Sequence, residues 1–256
     1  MTWLRAADLL PMLALWPIFL AFLRCGAAAM VMPGFGERSV PARVRLVAAF
    51  ALAWPVAAYE PSLQTVPVTV AMLIWVLMTE TLIGLLLGMM LRLVLIAMQT
   101  AGAMAAQATS LAQLAGGAFP DPLPGIGQLL SFAALALLML TGFAEKAVVF
   151  LALSYQLFPV AQFPMAETMA AWGTERVAHS FSLAFQLAAP FVLLSMLYNI
   201  TLGAINRAMP QLMVAMVGAP VITGGSLIIL LLAAPDLLRT WLSHADAFVA
   251  NPAGVP

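Results

Sequence analysis

From Val68 to about Leu114 the chain reads as one nearly unbroken helical pattern. A helix that long cannot cross a bilayer once at right angles, because a single span takes only about 20 apolar residues. It must bend, tilt or project from the membrane. Glu80, Gly84, Gly88 and Arg92 step along it by four residues. At about 100° per residue they drift across only about 120° of the helix circumference. Thr81, Gln99, Gly102, Thr109, Ser110 and Gln113 fall in the same sector if the helix runs on, whereas Thr79, Thr100 and Gln107 fall outside it. The opposite face is Leu, Met, Ile and Val. A small-and-polar stripe in an apolar helix meets other helices or water, not lipid. It is either close helix packing through Gly84 and Gly88 or the lining of a shared conduit. A charge at mid-membrane costs roughly 2.5–3.5 kcal/mol unless it has a partner or water. Glu80 and Arg92 lie about 18 Å apart by helical rise, too far to pair with each other. Each needs a partner elsewhere, in this chain or another.

Composition generalises the point. Of the 256 residues, 64% are hydrophobic and 8% charged, against roughly 25% charge in soluble domains. The apolar runs are continuous, about 15–25 residues long, and lack the two-residue alternation of outer-membrane strands. The expected class is therefore all-α, a polytopic helical membrane protein with long bent helices. Ten basic and ten acidic residues cancel, which leaves no basic footprint for nucleic acid. The single Cys25 excludes a disulfide framework, and the Arg24 before it does not fit a lipoprotein processing site. His179 and His244 are far apart without ligand spacing, so no metal is expected. The chain has no nucleophile elbow, no HExxH, no phosphate loop and no carboxylate pair at catalytic spacing, which points to a non-enzyme without cofactors. Ala27, Ala28 and Ala29 imitate a signal-peptidase site, but Pro11, Pro17 and Arg24 favour a retained first segment.

That first segment, Leu9 to Met32, is long enough to span. A turn at Pro33-Gly34-Phe35-Gly36 leads to a loop from Glu37 to Arg45 that carries Arg38, Arg43 and Arg45, the largest basic excess in the chain. The positive-inside rule taken alone makes this loop cytoplasmic. Leu46 to Tyr59 is short, contains Pro55, and reads as a half-span or a helix buried in protein. Ile126 to Thr141 is apolar, Gly142 to Lys146 interrupts it, and Ala147 to Phe158 resumes. The segment from Gln162 to Ser180, with Glu167, Glu175, Arg176 and His179, reads as an exposed linker or short amphipathic helix. Two apolar helices close the chain, Phe181 to Ile205 and Leu212 to Ala234, followed by a tail from Pro235. The chain divides best near residue 180, into a larger unit 1–180 and a C-terminal helical hairpin with a short tail, 181–256.

Two further stretches stand out. Gln107 to Gly127 reads QATSLAQLAGGAFPDPLPGIG. Gly116, Gly117, Pro120, Pro122 and Pro124 cannot continue a helix. Irregular backbone cannot face hydrocarbon, since each unpaired group costs several kcal/mol. This stretch lies outside the bilayer or lines something built of protein. Near the C-terminus Ser195, Asn199, Gly203 and Arg207 again step by four, and Pro210, followed by Gln211, kinks or ends that helix. This is a polar reentrant turn or a contact between subunits.

Three dispersed motifs resemble the FliR/SctT family of type III secretion export-gate proteins, its flagellar branch more than its injectisome branch. Arg24, Pro33 and the run Arg38 to Arg45 are similar to the family's first inter-helix loop. Glu80 to Gly88 (ETLIGLLLG), followed by Ala101, Gly102 and Gln107, is similar to its long helix. Leu202 to Gln211 (LGAINRAMPQ), with Gly218, Ala219 and Pro220, is similar to its C-terminal signature. The resemblance covers about residues 15 to 235.

It implies a non-enzymatic subunit of the flagellar export gate in the bacterial inner membrane, within the flagellar basal body. The subunit would act as a single copy inside a helical hetero-oligomer with FliP and FliQ homologues, beside a FlhB/SctU-type switch protein. There it would pass unfolded flagellar proteins, with energy from ion-motive force and a partner ATPase. Residues 1–180 would be the FliP-like unit and 181–256 the FliQ-like hairpin. Family complexes are lifted partly out of the bilayer plane, so the charge rule for the arginine loop does not carry over to them.

The loop after the long helix is the family's conduit plug. By position it is about Thr109 to Ala118, with Thr109, Ser110, Leu111, Gln113, Leu114, Gly116, Gly117 and Phe119 as plug residues and Pro120 to Pro124 as hinge or exit. The family often has a bulky aromatic there, whereas Leu111, Leu114 and Phe119 are the large apolar residues here. The His-bearing turn of the family reads Gly142-Phe143-Ala144-Glu145-Lys146 in this chain. The intramembrane polar and packing set is Arg24, Glu80, Gly84, Gly88, Arg92, Asn199, Gly203, Arg207, Pro210 and Gln211. Two alternatives stand beside this reading. One is an injectisome gate subunit. The other is a small-molecule transporter with Glu80, Arg92 and Arg207 at a midplane site.

Overall fold

The computed structural model describes residues 6–67, 69–109, 125–209 and 214–251. Among these, seven α-helices and one short 3-10 helix account for the regular structure, without a strand. Helix α1 (Ala6–Val31) ends as the chain turns at Pro33 and Gly34, where Gly34 takes φ +82° and the Gly36 N–H closes back on the Met32 carbonyl. Helix α2 (Ala42–Tyr59) starts directly after Pro41, so Arg43 and Arg45 belong to its first turn and the loop before it is shorter than expected. Proline suits a helix start because its fixed φ is already helical and its missing N–H is not needed there. Glu60 ends α2 and accepts a hydrogen bond from the Ser62 N–H, capping the 3-10 helix Pro61–Thr65.

Helix α3 (Val70–Thr109) is continuous over 40 residues, about 60 Å at 1.5 Å per residue. Helices α4 (Gly125–Leu140) and α5 (Phe143–Leu157) are separated at Gly142, which adopts the left-handed conformation at φ +78°. Glycine takes this conformation without a Cβ clash.

Helices α6 (Ala166–Ala208) and α7 (Val214–Ala250) differ from the expectation. Residues 166–180 are helical, one of the two expected readings, but they are the opening turns of α6 and not a separate short helix, because between Pro164 and Pro190 only Gly173 disfavours a helix, and it seats against Met90. The segment after Pro235 is also helical. Trp241, Ala245 and Phe248, spaced four and three apart, are all buried and hold the end of α7 in place.

Among the described residues, four helices are long and apolar enough to cross a bilayer: 42–59, 70–108, 169–208 and 221–250. The broken pair 126–140 and 143–157 makes a fifth if counted as one span. The chain is a polytopic, all-α membrane protein.

The fold comprises two compact units. Unit one holds Met1–Leu93, Leu138–Arg176 and Asp246–Pro256, and unit two holds Val94–Leu137 and Val177–Ala245. In unit one, α2 packs on α1 and α5 through Ala49, Leu52, Ala53, Val56 and Ala57. Ile83, Leu87, Phe143 and Phe150 fill the rest of that interior. Lys146 on α5 pairs with Asp246 at 2.6 Å, and Phe248 lies between the Phe150 ring and the Arg176 guanidinium. In unit two, the core is Met98, Ala105, Ala134, Leu187, Phe191 and Trp241, whose indole N–H donates to the Val94 carbonyl at 2.7 Å. There α3 and α4 touch backbone to backbone, since a Cβ built on Gly102 would overlap the Gly127 Cα.

Candidate functional site

The stripe on α3 meets α1. Along it, Glu80 faces Arg24, Gly84 faces the Arg24 carbonyl and Ala27, Gly88 faces Ala28, and Arg92 reaches the Val31 carbonyl. Residues 24, 27, 28 and 31 form one ridge of α1, spaced three and four apart. The two glycines remove side chains where the helix backbones approach most closely. A Cβ on Gly88 would lie 2.5 Å from the Ala28 carbonyl oxygen, and one on Gly84 would overlap the Arg24 carbonyl. Close approach through small residues is how apolar helices associate in lipid, where hydrophobic burial gives no advantage.

At one end of this seam lies a fully buried ion pair. Arg24 Nε donates to Glu80 Oε2 at 2.7 Å and Nη2 donates to Oε1 at 3.2 Å, with both side chains at 0% exposure. The remaining guanidinium donors reach Ser154 Oγ at 3.0 Å and the Phe158 carbonyl at 2.9 Å. The face of Tyr155 lies 3.5 Å from the guanidinium carbon. Glu80 also accepts from the Ala161 N–H at 3.1 Å, while the Trp75 indole donates to the Ala161 carbonyl at 2.8 Å. Ala161 has φ +60°, a conformation that is costly for a residue with a Cβ. Its backbone is held from both sides by α3. One arginine therefore ties α1 to α3, to α5 and to the turn after α5. A planar fork with five donors suits this task, and a lysine would not.

Tyr155 offers its ring, not its hydroxyl, to Arg24, and the hydroxyl has no hydrogen-bond partner among the described residues. The variant Tyr155→Phe removes a buried hydroxyl that has no partner and is accordingly expected to leave stability unchanged or raise it by about 1 kcal/mol. Thermal melting in detergent checks this, and a clear drop would assign the hydroxyl a bond of its own.

The other end of the stripe is more open. Arg92 donates to Glu37 Oε1 at 3.0 Å and Oε2 at 3.5 Å, with the side chains 24% and 22% exposed. Arg45 Nη2 donates to the Glu37 carbonyl at 2.7 Å. Partly exposed pairs contribute little, so Glu37→Gln is expected to lower stability by no more than about 1 kcal/mol. The difference should shrink in high salt, as screening requires. Melting curves at low and high ionic strength measure it.

The remaining expected residues divide into two groups. Asn199, Gly203 and Arg207 lie on the exposed last turns of α6, and nothing approaches within 4 Å of a Cβ built on Gly203. Asn199 Nδ2 donates to Ser195 Oγ at 3.4 Å. Ser110, Leu111, Gln113, Leu114, Gly116, Gly117, Phe119, Pro210 and Gln211 lie outside the described residues, as does the side chain of Thr109.

Sequence reasoning missed Glu37 as the partner of Arg92, and Ser154, Tyr155 and Ala161 as parts of the Arg24 cluster. No spacing rule reaches across 130 residues, the separation of Arg24 and Ser154. No group of three or more potential metal ligands occurs among the described residues. Along the α1–α3 seam the geometry offers close, ion-paired helix packing, and elsewhere it brings the rings of His179 and His244 within 5.6 Å of each other.

Comparison with known proteins agrees in extent with this helical framework. The flagellar biosynthetic protein FliR of Caulobacter vibrioides is 34% identical over 226 residues, covering 86% of this chain and 90% of that protein. The FliR of Aquifex aeolicus is 30% identical over 240 residues, covering 90% of each. That of Escherichia coli is 27% identical over 242 residues, covering 92% of this chain and 89% of that protein. The profile of the family described as bacterial export proteins, family 1, matches residues 15–248. That range takes in the α1–α3 seam, the buried ion pair and all but the last residues of α7, and the chain belongs to the bacterial export proteins, family 1.

Proposed function

We infer that the chain is a non-enzymatic subunit of the flagellar type III protein export apparatus in the bacterial inner membrane. The observation that carries this reading is the family match across residues 15–248, together with relatives of matching length named flagellar biosynthetic protein FliR. In this reading the chain joins FliP and FliQ homologues, with a FlhB-type switch protein nearby, in a gate for unfolded flagellar proteins. Residues 1–180 act as the FliP-like part and 181–256 as the FliQ-like hairpin. One boundary between the compact units, at Arg176 and Val177, falls near that division, although unit two also takes in Val94–Leu137 and unit one takes in Asp246–Pro256. The exposed face at Asn199, Gly203 and Arg207 supports a contact with another subunit, because an open glycine on an apolar helix gives a neighbouring backbone room to approach.

The segment around 109–118 is the proposed stopper of the conduit. Its stems are the end of α3 and the start of α4, which touch at Gly102 and Gly127. Deleting residues 109–118 is expected to make the assembled gate conduct small ions while leaving assembly intact. An unchanged membrane conductance in an otherwise intact complex would remove the stopper role. The subunit role is tested separately by co-purification with several copies of two other small membrane proteins. A chain that purifies alone and binds a saturable solute would instead be a transporter. Against a transporter, Glu80 and Arg92 are both engaged in ion pairs within the chain and are not free to hold a substrate.

A further inference from the structure

Helix α2 has two faces. Ala49, Leu52, Ala53, Val56 and Ala57 are buried in unit one. Outside that buried set Arg43, Val47, Phe50 and Trp54 follow at spacings of four, three and four, which places them on one side of the helix. Val47 is 69% exposed, Phe50 49% and Trp54 60%, and Arg43 is exposed at the head of the row. Arg38, in the turn just before α2, is exposed as well. Glu37, the acidic residue nearest in sequence, is already held by Arg92. Neither Arg38 nor Arg43 has an ion-pair partner among the described residues. From Arg43 to Trp54 the helix rises about 16 Å, about half of a hydrocarbon core roughly 30 Å thick, which is the reach of one leaflet's acyl chains.

We propose that this face binds an anionic phospholipid, its phosphodiester between Arg38 and Arg43 and an acyl chain along Val47, Phe50 and Trp54. Charge complementarity selects this occupant. An apolar helix laid on the row would leave two guanidiniums without an anion, and a zwitterionic lipid brings an ammonium that offsets its phosphate. The site requires only that α2 faces a bilayer, and it stands whether or not the chain plugs a conduit.

The experiment places the full chain, with whatever membrane proteins co-purify with it, in phosphatidylcholine nanodiscs doped with brominated lipid. The signal of Trp54 is the fluorescence lost in Trp54→Phe. Brominated phosphatidylglycerol is expected to quench it at a severalfold lower mole fraction than brominated phosphatidylcholine, about fivefold for each arginine engaged. The double variant Arg38→Gln, Arg43→Gln should lose that preference while its quenching by phosphatidylcholine is unchanged. Arg38→Lys with Arg43→Lys should keep most of it. Equal quenching by the two lipids in the parent protein would reduce the face to ordinary lipid contact and overturn the proposal. Quenching by neither would mean that a protein covers the face, and would overturn it as well.

Discussion

Glu80→Ala is expected to destabilise the protein by about 3–5 kcal/mol, the range seen when one member of a buried ion pair is removed. Arg24 would be left at 0% exposure without its anion. The Ala161 N–H would lose its acceptor too. The loss should appear as a large fall in melting temperature in detergent and as depletion of the protein from the membrane fraction. Replacing both members by apolar residues, Arg24→Met with Glu80→Leu, removes the orphan charge and should recover part of the loss. Recovery cannot be complete, because the Phe158 carbonyl and the Ala161 N–H remain without the partners they now have. A single variant that melts like the parent would show that the pair is dispensable. A double variant worse than either single one would show that the charges act separately.

The glycines of the α1–α3 seam should be nearly as sensitive. Gly84→Leu and Gly88→Leu each drive a side chain into the backbone of α1, at the Arg24 carbonyl and the Ala28 carbonyl respectively. Backbone cannot move aside as a flexible side chain can. Overpacking of this kind typically costs about 1–3 kcal/mol, and a branched chain at a direct backbone contact belongs at the upper end. Separation of the helices also strains the Arg24–Glu80 geometry one turn away, so the two effects should not add independently. Gly203→Ala is the control. It fills open space in this chain and should leave the isolated protein's stability within about 1 kcal/mol, with the better helix propensity of alanine in its favour. Melting of the three variants side by side decides the matter. Equal tolerance at positions 84, 88 and 203 would contradict the close approach.

What the sequence made legible was periodic. Steps of four along 80, 84, 88 and 92 marked a face that avoids lipid, and the matching ridge at 24, 27, 28 and 31 was written in the same code. Which ridge meets which stripe was not readable, because pairing between helices depends on tertiary geometry and not on spacing. Glu37 was hidden for a different reason. It sits among three arginines and read as part of a basic loop, whereas its carboxylate turns to Arg92 and its carbonyl to Arg45. Polarity misled in the opposite sense at α6 and α7. Glu167, Glu175, Arg176 and His179 suggested an exposed linker or a short amphipathic helix, yet Arg176 is buried beside Phe248. The segment after Pro235 was read as a tail on the strength of one proline and scattered charge. Its apolar steps at 241, 245 and 248 were the better guide, since they are what anchors the helix end.

The Gly102–Gly127 contact bears on how this chain can change over time. It fixes where the polypeptide leaves one helix and where it enters the next, so the separation of those two points does not depend on how many residues lie between them. Closing a loop costs only about 0.6 kcal/mol more for each doubling of its length. Insertions and deletions between 110 and 124 are therefore expected to change the stability of the α3–α4 contact by little. The Gly- and Pro-rich stretch of the sequence is thus the one whose length evolution can adjust at least cost to the helices on either side of it.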